Sequence, residues 1–386
     1  MRRRSFLGGG AGALMAAGAA GYWFGLRPLA VPQPAEVGFT LTAEETAAAQ
    51  VLMRRVPVID AHAHPGRTFL RDAEDLSFLL RLYRLIGGTF EAESLSDMRA
   101  SGMAAAVFNG VGDIQVITLG DGGLSAWRPF APDEAWQSYR RQIANLRALA
   151  DAGHVTLCLT PDDVVTSHAQ GRLGAILAME GADALEGDAS RVAQLHADGV
   201  RMLTLVHYRD NDLGHIMTGD AGGGLSGAGR EAVVAMNEVG MMIDLAHAAE
   251  ATAFDVIAVS RKPVILSHTH INAPELSNPR FVSPELAQAV AETGGYIGAW
   301  PAGIGLDSLN GFADRVVWLI EQMGADHVAL GSDMDANYRP VLETYRKMPL
   351  LVGALMRRGL DDETLGKILG GNVLRVWRAV QNTQPG

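Results

Sequence analysis

Cysteine is almost missing from this chain: its 386 residues include one, Cys158. No intrachain disulfide can form, so stability has to come from packing in any compartment. No cysteine precedes Cys158, which also excludes a lipid-modified N-terminal cysteine. Basic residues are outnumbered, 32 Lys and Arg against 43 Asp and Glu, and a net charge of -11 argues against nucleic acid or an anionic membrane surface as partner. Aromatics are sparse at 6% and charged residues make up 19%, yet 48% of the chain is hydrophobic, the composition of a globular protein with a large core. No internal repeat or low-complexity segment follows residue 26. The stretch GDAGGGLSGAG at 219–229 is glycine-rich but lacks the Lys-Ser/Thr ending that a phosphate-binding loop needs, so it reads as a flexible loop. Cys158, inside the apolar run HVTLCLT, reads as a small buried hydrophobe.

Charge is also absent from residues 6–26. Three arginines precede that run in MRRRSFLGGGAGALMAAGAAGYWFGL, the layout of an export signal or an anchor. The order Arg3, Arg4, Ser5, Phe6, Leu7 resembles a twin-arginine signal, whose cargo crosses the membrane already folded. The run has 21 residues, against the roughly 20 that span a bilayer, and seven glycines make it only mildly hydrophobic. Residues 1–26 are therefore expected to be a cleaved signal or a retained tether, placing the protein in the periplasm or cell envelope. Residues 27–42, with three prolines, read as a linker. Residues 43–380 read as a single domain.

From residue 43 on, helix-compatible stretches alternate with short apolar runs. These are VPVID (56–60), AAAVF (104–108), LGAILAM (173–179), VRMLTLV (200–206), GMMIDLA (240–246), KPVILS (262–267), GGYIGAW (294–300) and HVALGS (327–332). Parallel strands covered on both faces need such near-continuous apolar runs. Eight of them, separated by helical stretches such as GREAVVAMNEV, predict an α/β fold of the (β/α)8 TIM-barrel type. A ninth run at 155–159 is expected to belong to an insertion between the second and third barrel strands.

The polar residues fall at one relative place. His62 and His64 follow the first strand, and Glu180, His207, His247, His268 and Asp333 end later ones. A His-x-His on extended chain projects both imidazoles to the same side. The C-terminal ends of barrel strands converge on one face, where active sites sit. Each residue alone has an ordinary explanation, a loop histidine or a helix-capping aspartate. Six strands ending this way point instead to a metal centre, with the ligand types that zinc takes. Asp244, three residues before His247, reads either as a carboxylate supporting a ligand or as a strand acid satisfied by backbone. His215 and His270 read as solvated loop residues.

The segments DAHAHP, AMEGADAL, LTLVHYRDNDLG, GMMIDLAHA, PVILSHTH, NPRFVSPE, VALGSDMDA and LGKILGGNVLRV occur in this order between Val56 and Val376. Together they resemble the membrane dipeptidase (renal dipeptidase) family of the amidohydrolase superfamily. The resemblance implies a (β/α)8 barrel with two zinc ions per chain, Glu180 bridging them, His62 and Asp333 holding the first, His247 and His268 the second. It also implies that His207 polarises the scissile carbonyl and steadies the oxyanion, and that Arg280 in NPRF binds the substrate's carboxylate. A homodimer is a further implication. One position departs from the family's usual His-x-Asp, because its second residue here is His64. Imidazole can replace a monodentate carboxylate at about 2.0–2.1 Å from zinc, so His64 stays a candidate ligand while one negative charge is lost.

The expected function is thus a zinc-dependent hydrolase of dipeptides or similar small amides, acting by attack of a metal-bridged hydroxide. Asp333 would take the proton and pass it to the leaving amine. A dinuclear zinc amidohydrolase acting on an N-acyl amino acid, lactam or lactone, and a catalytically silent envelope binding protein, are the other readings.

Overall fold

A computed structural model describes residues 33–120, 123–219 and 223–381. The export segment expected at 1–26, the first part of the linker and residues 220–222 of the glycine-rich stretch lie outside the described residues. The strands are β1 Ile59–Ala63, β2 Ala105–Val111, β3 Ile117–Gly120, β4 Gly123–Ala126, β5 Thr156–Leu157, β6 Gly174–Glu180, β7 Val200–Thr204, β8 Met242–Asp244, β9 Val264–Thr269, β10 Ile297–Ala299 and β11 Val328–Leu330. Eight of them pair in parallel in the order β1-β2-β6-β7-β8-β9-β10-β11. The ring closes just past β11, where the Asp333 N–H donates to the His62 carbonyl at 2.8 Å and the His64 N–H to the Met334 carbonyl at 2.9 Å. The expected (β/α)8 barrel is therefore the fold, and its closing bonds run between residues of the candidate site.

Every residue of β1, β2, β6 and β9 is buried. One set of side chains fills the barrel and the other meets the helices, so neither face needs the polar alternation of a solvated sheet. Inside, Ile59, Ile176, Met202 and Ile265 form one cluster with Val373, Trp377 and Val380 of the last helix, Asn372–Gln381. That helix plugs the end of the barrel opposite the site. Trp377 is fully buried there, and Trp377→Ala is expected to cost about 3–5 kcal/mol of stability, measurable by denaturant unfolding.

Serine hydroxyls start several of the outer helices: Ser226, Ser283 and Ser308 each accept the backbone N–H three residues on. A Thr42–Glu45 capping box starts the helix Ala43–Arg55. Ahead of it, the carbonyls of Glu36 and Val37 accept from Leu309 and Asn310 at 2.9 and 3.0 Å, so this part of the linker lies against the barrel wall. Among the described residues no helix is long and apolar enough to cross a membrane.

The ninth apolar run becomes β5, which pairs with the first two residues of β6 before β7 takes over that edge at Leu177. Cys158, which follows it, is buried, and burial pushes its thiol up to about 12. The second barrel strand continues three residues past the expected Phe108, pairing with β6 to its end at Val111 and bringing Asn109 into the sheet. Asn109 and Gly110 hide this extension. At Gly110 an added Cβ would lie 2.6 Å from the Met179 sulfur, so close packing fixes glycine in an otherwise regular strand.

Candidate metal centre

Glu180, the last residue of β6, stands at the middle of the barrel mouth. Its Oε1 lies 2.8 Å from His247 Nε2 and 3.4 Å from both His62 Nε2 and His268 Nε2. Its Oε2 lies 3.2 Å from His64 Nε2 and 3.3 Å from His207 Nε2. One buried carboxylate thus faces five imidazoles. Asp333 brings a second, with Oδ1 3.4 Å from His64 Nε2. His62 and His64 approach each other at 3.2 Å between Nε2 atoms, and His247 and His268 at 3.1 Å. His247 and Asp333 both take positive φ, 68° and 52°, a left-handed conformation that costs a non-glycine residue some strain. β8 ends at Asp244 rather than running on to Ala246, which frees His247 to make that turn.

The hydrogen bonds behind the rings decide what the Nε2 atoms can do. Ser267 donates its hydroxyl to Asp244 Oδ2 at 2.7 Å, leaving its oxygen to accept from His62 Nδ1 at 3.0 Å and His268 Nδ1 at 2.9 Å. With the Ser267 hydroxyl directed at Asp244, both imidazoles are assigned the Nδ1–H tautomer and point bare Nε2 lone pairs at Glu180. His64 is set the same way, its Nδ1 donating to the Asn109 carbonyl at 3.2 Å. Bare nitrogens opposed at close range, with two carboxylates among them, form a donor set that a cation would satisfy, and at His247 and His268 the Arg280 guanidinium reaches the same nitrogens. Asp244 also accepts from Thr204 Oγ1 at 2.6 Å and from the Ala246 and Ser267 N–H groups at 3.0 and 2.9 Å. Backbone N–H groups thus satisfy one Asp244 oxygen, while the other, through Ser267, orients two of the candidate ligands.

Burial disfavours an ionised Glu180, but His207, His62 and His247 hold its carboxyl well below the usual range. His247 and His268 are pushed well below the ordinary imidazole value, first by burial and also by the nearby Arg280 guanidinium, and so stay neutral. At His64 burial is outweighed by Asp333 and Glu180, which raise it to about 10. Both carboxylates thus favour a positive charge at that position. His207 stands slightly apart, its Nδ1 2.7 Å from Asp113 Oδ1, with the other Asp113 oxygen accepting the Tyr208 N–H at 2.9 Å. Asp60, beneath the site, accepts the His62 N–H at 3.1 Å, the Ser332 N–H at 2.9 Å and the Tyr345 hydroxyl at 2.7 Å, tying the first strand end to the last.

Arg280 completes the wall beside the second histidine pair. Its Nη2 lies 3.1 Å from His247 Nε2 and 3.3 Å from His268 Nε2, and the guanidinium sits 5.2 Å from the Trp300 ring centroid. The Arg280 carbonyl is held by Thr269 Oγ1 at 2.9 Å. The structure therefore brings together His62, His64, Glu180, His207, His247, His268, Asp333 and Arg280. His215 is a half-exposed loop residue bonded to Asp210 at 2.9 Å, as expected. His270 is not solvated: it is 4% exposed, between Phe281 and Trp318, and burial with the nearby Arg315 charge pushes it down to about 3. Ser267, Asn109 and Asp113 were not anticipated.

A family model described as membrane dipeptidase (peptidase family M19) matches residues 46–385. This chain belongs to the membrane dipeptidase family. Among curated relatives, dipeptidase verJ of Clonostachys rogersoniana is 31% identical over 266 residues, covering 65% of this chain and 68% of that protein. Dipeptidase ataJ of Aspergillus terreus is 27% identical over 382 residues, covering 86% and 87%. The solved metallo peptidase of Rhodobacter sphaeroides, liganded with a phosphinate mimic of the dipeptide L-Ala-D-Ala, shares the fold. It has a TM-score of 0.70 at 24% identity over 84% of this chain and 99% of its own. A membrane dipeptidase of the metallopeptidase class needs clustered donors at the barrel mouth, and among the described residues three such groups have their ligand atoms within 4.8 Å of one another: His62, His64, Asp333; His62, Glu180, His268; and Glu180, His207, His247.

Proposed function

We propose that this membrane dipeptidase is a dinuclear zinc enzyme that hydrolyses dipeptides. The observation that carries the reading is Glu180, a buried carboxylate whose Oε1 faces His62, His247 and His268 and whose Oε2 faces His64 and His207, most with their free nitrogen turned toward it. Nitrogen donors with carboxylates suit zinc better than the all-oxygen shells of calcium or magnesium. His62, His64 and Asp333 would hold one ion, His247 and His268 the other, and Glu180 would reach both. Bound there, the ions would supply a water of lowered pKa and polarise the scissile carbonyl.

The chain's own residues do the rest. Arg280, whose backbone carbonyl is held by Thr269, offers the substrate's C-terminal carboxylate a guanidinium that lies beside the Trp300 ring. His207, held through Nδ1 by Asp113, turns Nε2 toward the reacting centre, where it can donate to the oxygen that gains charge. Asp333, whose side chain keeps 13% exposure, can receive a proton there and release it to the leaving amine.

A dipeptide and its C-terminal amide test the substrate assignment. Arg280→Met removes a charge-assisted bond worth about 1.5–3 kcal/mol, so kcat/KM for L-Ala-D-Ala should fall about 10- to 150-fold, mainly through KM. The amide should be a poor substrate for the parent and little changed in the variant. Equal losses on both would remove Arg280 from substrate binding, and no hydrolysis of any dipeptide by zinc-loaded protein would end the dipeptidase reading.

A further inference from the structure

On the outer side of the loop that carries Arg280, a cavity of about 560 Å³ opens between residues 270–276 and the helix Leu309–Met323. Its size is that of a small-molecule site. Leu276, Val317 and Trp318 supply an apolar wall. Two polar residues facing it lack the partners their chemistry requires. His270 is 4% exposed and its Nδ1 has no hydrogen-bonding partner. Arg315 is 7% exposed; its Nη2 donates to the Ile304 and Gly305 carbonyls at 3.1 and 3.2 Å, and no carboxylate among the described residues lies within 4.0 Å of it. Burial pushes this guanidinium down to about 10, with no neighbouring charge to offset it. A buried cation without a counter-ion is costly, and a planar carboxylate is the group a guanidinium fork pairs with best.

The rim carries the opposite charge. Glu275 and Glu321 are exposed acids bordering the cavity, and neither has an ion-pair partner among the described residues. Asp314 and Arg358, which also border it, neutralise each other at 2.7 Å. A hidden unpaired cation, unpaired acids at the mouth and an apolar wall between them match a small zwitterion with an apolar side chain.

We propose that this cavity binds a free apolar amino acid. The carboxylate pairs with Arg315 and with His270 Nδ1 in its N–H tautomer, the ammonium meets Glu275 and Glu321, and the side chain lies against Leu276, Val317 and Trp318. The site is distinct from the catalytic one yet touches the same loop: Phe281, next to Arg280, has its ring 5.1 Å from His270 and 5.9 Å from the Arg315 guanidinium. The proposal goes beyond the dipeptidase reading and does not depend on it, because binding is measured without turnover.

The experiment is calorimetric titration of L-leucine into metal-loaded protein carrying Arg280→Gln, which removes the carboxylate-binding cation of the catalytic pocket and leaves the cavity intact. One leucine should bind per chain. Leucinamide, which lacks the carboxylate, and 4-methylpentanoate, which lacks the ammonium, should each bind at least about tenfold more weakly, a difference of about 1.4 kcal/mol. Adding Ala273→Phe fills the cavity and keeps the Arg315 contacts to Ile304 and Gly305, and should weaken leucine by at least the same factor. As a second measurement, leucine should change the tryptophan emission of the parent, and Trp318→Phe should abolish that change. No leucine binding by the Arg280→Gln protein, leucinamide as tight as leucine, or binding undiminished by Ala273→Phe would each overturn the proposal.

Discussion

Glu180→Gln is expected to reduce kcat/KM by on the order of 10³-fold or more and to lower metal content further than any single histidine substitution. Glutamine keeps the size of the side chain and can still hydrogen-bond to His207 and His64. It loses the charge and turns an NH₂ group toward one of the two histidine sets, so it cannot serve both. Losing the partner behind a metal ligand typically costs about 10- to 100-fold in affinity; losing a ligand shared by both ions should cost more. On the proposed reading the ions would supply several kcal/mol of transition-state stabilisation, and about 1.4 kcal/mol is a factor of ten in rate. The fold should survive, because replacing a buried carboxylate by a neutral amide removes a desolvation cost. The check is zinc per chain by elemental analysis, with circular dichroism as control. Chelation should reproduce the defect in the parent, and added zinc should restore the parent but not the variant. Two tightly held ions in Glu180→Gln would remove Glu180 from the bridging position.

The parts legible in the sequence were those whose chemistry restricts the residue type. A strand buried on both faces must be apolar along its length, and a metal-capable residue at its C-terminal end has few alternatives; hence Glu180, His207, His247 and His268 stood out. The groups that orient them carried no such mark. Ser267 looks like any small residue in PVILSH, and only barrel closure sets it between His268 and a His62 lying 205 positions away. Asn109 acts through its backbone carbonyl, which no side-chain pattern reveals. Asp113 was hidden because Gly110 and Gly112 interrupt the apolar run. Gly112 packs so tightly that an added Cβ would lie 2.3 Å from the Gly181 carbonyl oxygen, so here glycine marks close packing and not the end of the chain's approach to the site. His270 was misjudged for a similar reason: the loop doubles back, Val282 bonding to the His270 carbonyl at 2.9 Å, and Trp318 from a distant helix covers the ring.

His64, at the position where the resemblance implies an aspartate, gives the second large effect. Its Nε2 lies within 3.4 Å of His62, Glu180 and Asp333, and the Asn109 carbonyl fixes its tautomer. His64→Asp keeps a donor at this position, and carboxylate oxygen binds zinc at nearly the same distance, so two ions should remain. The added negative charge makes water held between the ions harder to deprotonate, so the acidic limb of the pH–rate profile should move to higher pH. Two costs come with it. The Asn109 carbonyl loses its donor, about 1 kcal/mol, and without metal three carboxylates face one another, so the metal-free variant should unfold at lower temperature than the metal-free parent. His64→Ala opens the position instead: the ion at His62 and Asp333 should be lost while the one at His247 and His268 stays, leaving about one zinc per chain and activity lower by several orders of magnitude. Zinc content and pH profiles of parent, aspartate and alanine proteins separate these outcomes. An alanine variant that keeps two ions and an unshifted profile would mean that His64 holds no metal and that DAHAHP supplies one ligand, His62.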